Sequence, residues 1–107
     1  MANGKFSKEE IGTLVDGFKK KLESMNVPIS KMYLYGSYAK NNARADSDVD
    51  VCVISPMFLD RIDATMMLMK MRDDNELILS PIAFSPSTFV DENPLAWEIK
   101  STGISLN

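Results

Sequence analysis

Two short clusters in this chain carry the residue types that phosphate chemistry uses. Gly36-Ser37 follows an apolar, strand-like run, and Asp48-Val49-Asp50 opens another, with residues 38–47 between them. A glycine at a strand end lets the backbone turn sharply and lets a ligand approach the main chain closely. The Ser37 hydroxyl and the N–H groups of a following helical turn would then point at one place, where an anion is favoured. Asp48 and Asp50 alternate with valines, so both carboxylates project from one face of a strand. Two carboxylates about 4 Å apart repel by roughly 4 kcal/mol at an effective dielectric near 20. Such a pair calls for a cation or for a raised pKa. Mg²⁺ suits it, being commonly held by one or two carboxylates together with substrate phosphates.

Each cluster alone has an ordinary reading. Gly36-Ser37 can be a turn with an N-cap, and Asp48-x-Asp50 a solvated junction between loop and strand. Their combination is more specific. With each residue type at roughly 5–7%, both motifs at one fixed spacing arise by chance in about one chain of this size per thousand. Phosphate and metal binding at residues 36–50 is therefore the leading reading.

The composition limits the alternatives. The chain has 107 residues, a net charge of −3, one cysteine and no histidine. That length suits a single domain spanning residues 1–107. The net charge argues against a broad nucleic-acid surface. Lys19-Lys20-Lys21 reads as a solvated helix face or as a local basic patch. Cys52 lies in an apolar run and reads as a buried, inert thiol. Without histidine, Ser-His-Asp triads and His-containing zinc sites are excluded. No apolar stretch approaches 18 residues and the N-terminus lacks a signal-peptide core, so the expectation is a cytoplasmic protein with no membrane partner.

The elements that must position the two clusters follow from periodicity. Ser7-Lys8-Glu9-Glu10 fits a capping box, and Ile11, Leu14, Val15, Phe18 and Leu22 recur at helical spacing, predicting a helix from Lys8 to about Met25. Asn26 and Pro28 end it. Lys31–Tyr35 reads as a strand, Ser37 to Asn41 as a short helix, and Val49–Ile54 as a β-branched strand. A second helix should run from about Leu59 to Met71. Its Met66, Met67, Met69 and Met71 fit adaptable core packing or a partner groove. Leu77–Phe84 reads as a strand that Pro81 confines to a sheet edge or a strand end. Pro86 to Asp91 suits one helical turn. A last helix should run from Pro94 to about Lys100 and stop at Gly103, with a small strand at Ile104–Leu106. This order predicts an α/β (α+β) domain with a small mixed β-sheet flanked by helices.

The stretch from Gly36-Ser37-Tyr38-Ala39-Lys40 to Asp46-Ser47-Asp48-Val49-Asp50-Val51 resembles the signature of the minimal nucleotidyltransferase domain of the DNA polymerase β superfamily. The likeness is close over residues 31–54. It extends loosely to Asn93-Pro94-Leu95 and Ile99–Ile104. It implies a polymerase-β-like fold in which Gly36, Ser37 and Lys40 bind the nucleotide. The ordinary role for Lys40 is that of an exposed helix lysine. Asp48 and Asp50 would be the catalytic residues and would bind two Mg²⁺ ions. The implied activity is transfer of a nucleotidyl (AMP) group from a nucleoside triphosphate, ATP first among them, to a hydroxyl acceptor, releasing pyrophosphate. The resemblance also implies a third carboxylate on the strand after the intervening helix. There the sequence offers Ser80, while Glu76 lies four residues earlier, about 13 Å along an extended strand. Asp73, Asp74 and Glu76 read as solvating a turn. The alternative is a catalytically degenerate, antitoxin-like or other protein-interaction module. The expected partners are a small helical protein or a second copy of the chain.

Overall fold

The capping box at the start of the chain forms as the sequence requires. In a computed structural model that describes residues 5–106, Ser7 caps α1 (Lys8–Ser24). The Ser7 hydroxyl accepts from the Glu10 N–H (3.1 Å), and the Glu10 carboxylate accepts from the Ser7 N–H (2.8 Å). Asn26 takes a positive φ of 64° just beyond the helix, the left-handed conformation that asparagine tolerates at helix ends.

β1 (Lys31–Tyr35) and β2 (Val49–Ile54) pair antiparallel. From β2 the chain crosses through α2 (Arg61–Lys70) to β3 (Leu79–Phe84), which pairs parallel with β2. α3 (Pro94–Thr102) then leads into β4 (Ile104–Ser105), which pairs with β1. The sheet order is β3-β2-β1-β4, a mixed four-stranded sheet. β3 is an edge strand, as Pro81 predicted.

The alternation of side chains divides the core between two faces. Met32, Leu34, Val49, Val51, Val53 and Leu79 pack with Phe18 and Leu22 of α1 and Leu68 of α2. On the other face Cys52, Ile54 and Phe84 pack with Ala96 and Ile99 of α3. Asp50 shares this second face with Cys52, so the carboxylates lie on the α3 side.

Four expectations are corrected. Residues 36–41 form consecutive turns, with no helix from Ser37 to Asn41, because Asn41 at φ 59° breaks helical geometry. β3 begins at Leu79 rather than Leu77, since Asp74–Glu76 winds into a 3-10 turn before it. Glu76 does not solvate that turn: it is buried and pairs with Lys21 of α1. Lys21 is accordingly withdrawn from the solvated lysine face, donating also to the Met71 carbonyl (2.8 Å) and pairing with Asp73 (2.9 Å). Burial works against the Lys21 charge, but its bonds to Glu76 and Asp73 outweigh that and hold its pKa above the ordinary value. The methionines of this segment divide between the two readings the sequence left open: Met67 and Met71 pack on the core, while Met66 and Met69 are exposed.

Candidate active site

The end of the sheet where β1 stops is also where β2 and β3 start, so the sequence-predicted residues converge there. Tyr35 is the backbone partner of Asp50 across β1 and β2, and Ser80 is the partner of Asp50 across β2 and β3. Cross-strand partners project from the same face, which sets Tyr35, Asp50 and Ser80 in one row. The residue opposite Asp50 on β3, where the resemblance led to the expectation of a third carboxylate, is Ser80. Glu76 does not supply that carboxylate, being committed to Lys21 and to the Asp73 N–H (2.7 Å).

Gly36 takes a φ of 74° directly after β1, a conformation open to glycine and strained for other residues. A β-carbon at this position would collide with the Asp50 carboxylate. The carboxylate therefore lies directly against the main chain of the Gly36-Ser37 turn. That turn is closed by the Lys40 N–H donating to the Gly36 carbonyl (3.1 Å) and the Asn42 N–H donating to the Ser37 carbonyl (3.0 Å). The Tyr38 hydroxyl accepts from the Phe6 N–H (3.1 Å) and ties the turn to the segment before α1.

Asp48 is exposed and Asp50 half-buried. Burial, and then the neighbouring Asp48 charge, push the Asp50 carboxyl above the usual carboxylate range. Tyr35 is pushed up to about 12 by burial first and the Asp50 charge second, so its phenol keeps its proton at neutral pH. Burial likewise pushes the Cys52 thiol up to about 12, and the thiol is buried. Lys40 is exposed and forms an ion pair with Glu98 of α3 (3.6 Å).

Tyr35 and Glu98 were not found from the sequence. Tyr35 could have been, because a strand that ends one residue before the glycine puts its last side chain beside the carboxylates. Glu98 left no such signal, since its approach to Lys40 depends on how α3 lies across the sheet.

Among the described residues no cluster of three or more acids could hold a metal. The donor set present, the Asp50 carboxylate against the Gly36-Ser37 turn with the Asp48 charge close enough to act on it, fits a hard cation that arrives with phosphate oxygens. An apolar cavity of about 320 Å³ lies elsewhere, between Phe6, Ile11, Leu34, Tyr38 and Leu106.

The family model of the nucleotidyltransferase domain matches residues 15–100, and the chain belongs to that family. Family members typically use a divalent metal ion and a nucleotide substrate. The fold agrees with the crystal structure of a nucleotidyltransferase candidate from Sulfolobus solfataricus, with a TM-score of 0.62 and 14% identity, over 97% of this chain and 90% of that one. Comparison with curated proteins gives no match. Among the described residues no helix is long and apolar enough to cross a membrane.

Proposed function

We propose that the chain transfers a nucleotidyl group from a nucleoside triphosphate, ATP in the simplest case, to a hydroxyl acceptor. The observation that carries this reading is the approach of the Asp50 carboxylate to the backbone of Gly36. It unites the two motifs in one site, with a positive-φ glycine where a side chain would separate them.

In this reading Ser37 and the first N–H groups of the turn donate to the terminal phosphates. Lys40 reaches the same oxygens once released from Glu98. Asp48 and Asp50 are the residues that would hold Mg²⁺, which supplies neutralisation of phosphate charge when bound. Tyr35, protonated at neutral pH, offers a hydroxyl rather than a phenolate beside Asp50 and adds no further negative charge. The acceptor oxygen bonds to the α-phosphorus as its hydroxyl proton passes to water, the bond from that phosphorus to the bridging oxygen breaks, and pyrophosphate leaves. Holding these groups in line supplies much of the acceleration available to such a site.

A second reading rests on Ser80. With serine opposite Asp50 the site lacks the third carboxylate and any base it would provide, a loss of about 10²–10⁴-fold in such reactions. A degenerate transferase acting as an antitoxin-like or other protein-interaction module fits that observation. Incubation with α-labelled ATP, Mg²⁺ and candidate acceptors separates the two. Label transfer that disappears in Asp48→Asn supports the enzyme. Calorimetric binding of Mg²⁺-ATP without transfer supports the degenerate module, and no binding at millimolar nucleotide removes both nucleotide-linked readings.

A further inference from the structure

Helix α2 is apolar on two opposite faces. Ala64 and Leu68 are buried towards the sheet. On the other side Ile62, Met66 and Met69 are exposed by 74%, 51% and 40%. Their spacing of four and three residues places them in one stripe. Leu59, 91% exposed, continues that stripe beyond the N-cap Asp60. One of the two apolar faces is covered by the sheet, whereas a contiguous apolar stripe left exposed and rimmed by polar residues marks a contact surface, and methionine is enriched where proteins meet.

The neighbouring sheet edge is closed. The Ala83 N–H donates to the Thr65 hydroxyl (3.0 Å). The Ala83 carbonyl accepts from Arg61 Nε (3.0 Å), and the Leu79 carbonyl accepts from Arg72 Nη1 (2.9 Å). Pro81 between them has no N–H to offer. A partner on this side is therefore better placed to pack on the helix, because strand addition to β3 finds three of its backbone groups taken and a donor missing at Pro81.

The charges select the partner. At 100° per residue, Asp63 and Lys70 flank the stripe on the same side, one towards each end of α2. A second α2 laid antiparallel across the stripe, with a two-fold axis near Met66, brings Ile62 against Met69 of the partner subunit. Met66 then meets Met66 of the partner subunit, and each Asp63 meets Lys70 of the partner subunit. The opposite flank carries Arg61, Thr65 and Arg72, all turned onto β3 and so withdrawn from the seam.

We propose that this stripe is the contact of an isologous homodimer built from two antiparallel α2 helices. Such a contact is self-complementary by symmetry. Three helical turns make a small interface, so the dimer is a weak, reversible one. The proposal does not depend on nucleotide transfer, and its readout is mass.

Sedimentation velocity of the full chain, from low micromolar to near-millimolar concentration, tests it. The expected result is a mass rising from one chain to two. Met66→Glu sets two like charges at the two-fold axis and should leave a monomer at every concentration, with an unchanged circular dichroism spectrum. Asp63→Lys should weaken the dimer about tenfold by facing two cations. The double exchange Asp63→Lys with Lys70→Asp should restore it, a result that antiparallel self-pairing produces and an unrelated contact does not. A monomer throughout, a dimer that survives Met66→Glu, or a double exchange that fails to restore pairing overturns the proposal. If Met66→Glu loses its helical signal, the charge exchange decides alone.

Discussion

The Asp50 carboxylate sits where a β-carbon of residue 36 would be, and two substitutions exploit that. Gly36→Ala has a double cost. It forces alanine into a left-handed conformation, about 1–2 kcal/mol, and it pushes the carboxylate out of the row it shares with Tyr35 and Ser80. Misplacement on that scale at a reacting centre is worth about 100-fold. Gly36→Ala should therefore bind Mg²⁺-ATP at least tenfold more weakly by calorimetry while keeping its helical spectrum. Undiminished affinity would show that the turn is not the phosphate site. Ser80→Asp tests the same row from the other side. It sets a third carboxylate opposite Asp50, crowding three like charges in the absence of metal. The variant should be less stable alone, more strongly stabilised by Mg²⁺, and faster in label transfer by about 10²-fold or more if the added group serves as the base. An unchanged rate together with an unchanged Mg²⁺ response would count against Asp50 and residue 80 forming one metal site.

Secondary elements bring these residues together, and the crossover helix also protects the edge of the sheet. Thr65 supplies the acceptor for the Ala83 N–H next to a proline that has no donor. Thr65→Val keeps the shape and removes the acceptor, leaving a buried donor unpaired at a cost of about 1–3 kcal/mol. Urea unfolding should show that loss in the midpoint, with little change in the slope. A loss below about 0.5 kcal/mol would show that water replaces the hydroxyl. The elements were largely legible because their signals are local. The capping box of Ser7 and Glu10, the β-branched run of β2 and the proline in β3 each act through a few neighbouring residues. Residues 36–41 were misjudged because a serine N-cap promises a helix that Asn41, at positive φ, does not continue. The pairing of Lys21 with Glu76 was not legible at all. It depends on α1 docking against the turn before β3, 55 positions further along the chain, and local pattern carries no record of that. The candidate site falls between these cases. Gly36, Ser37, Asp48 and Asp50 were named from their spacing, whereas the approach of Glu98 to Lys40 required the packing of α3.

At the scale of the whole molecule, the carboxylate row burdens the fold that carries it. Asp50 lies half-buried on the α3 face, and burial with the Asp48 charge raises its pKa above the ordinary 3.8. The folded protein thus holds this proton more tightly than the unfolded chain does. Stability from that term is fully present below the unfolded pKa and is lost as the pH rises through the folded value. Near neutrality the carboxylate is ionised in both states and the folded state bears the strain, a common condition of residues retained for function. Asp50→Asn removes the ionisation and keeps the shape. Its Tm should exceed that of the parent chain by a few degrees at neutral pH, and the gap should close as the pH falls to about 4 and below. Thermal unfolding followed by circular dichroism across that range measures it. A gap independent of pH would assign the effect to packing instead of charge. Ligand linkage completes the test, because a ligand that binds only the folded state raises stability with its concentration. Mg²⁺ with nucleotide should lift the Tm of the parent chain past that of Asp50→Asn and leave the variant nearly unmoved. The order of the two stabilities then reverses between the free and the liganded protein, as expected if a cation bound at the proposed site relieves the strain around Asp50.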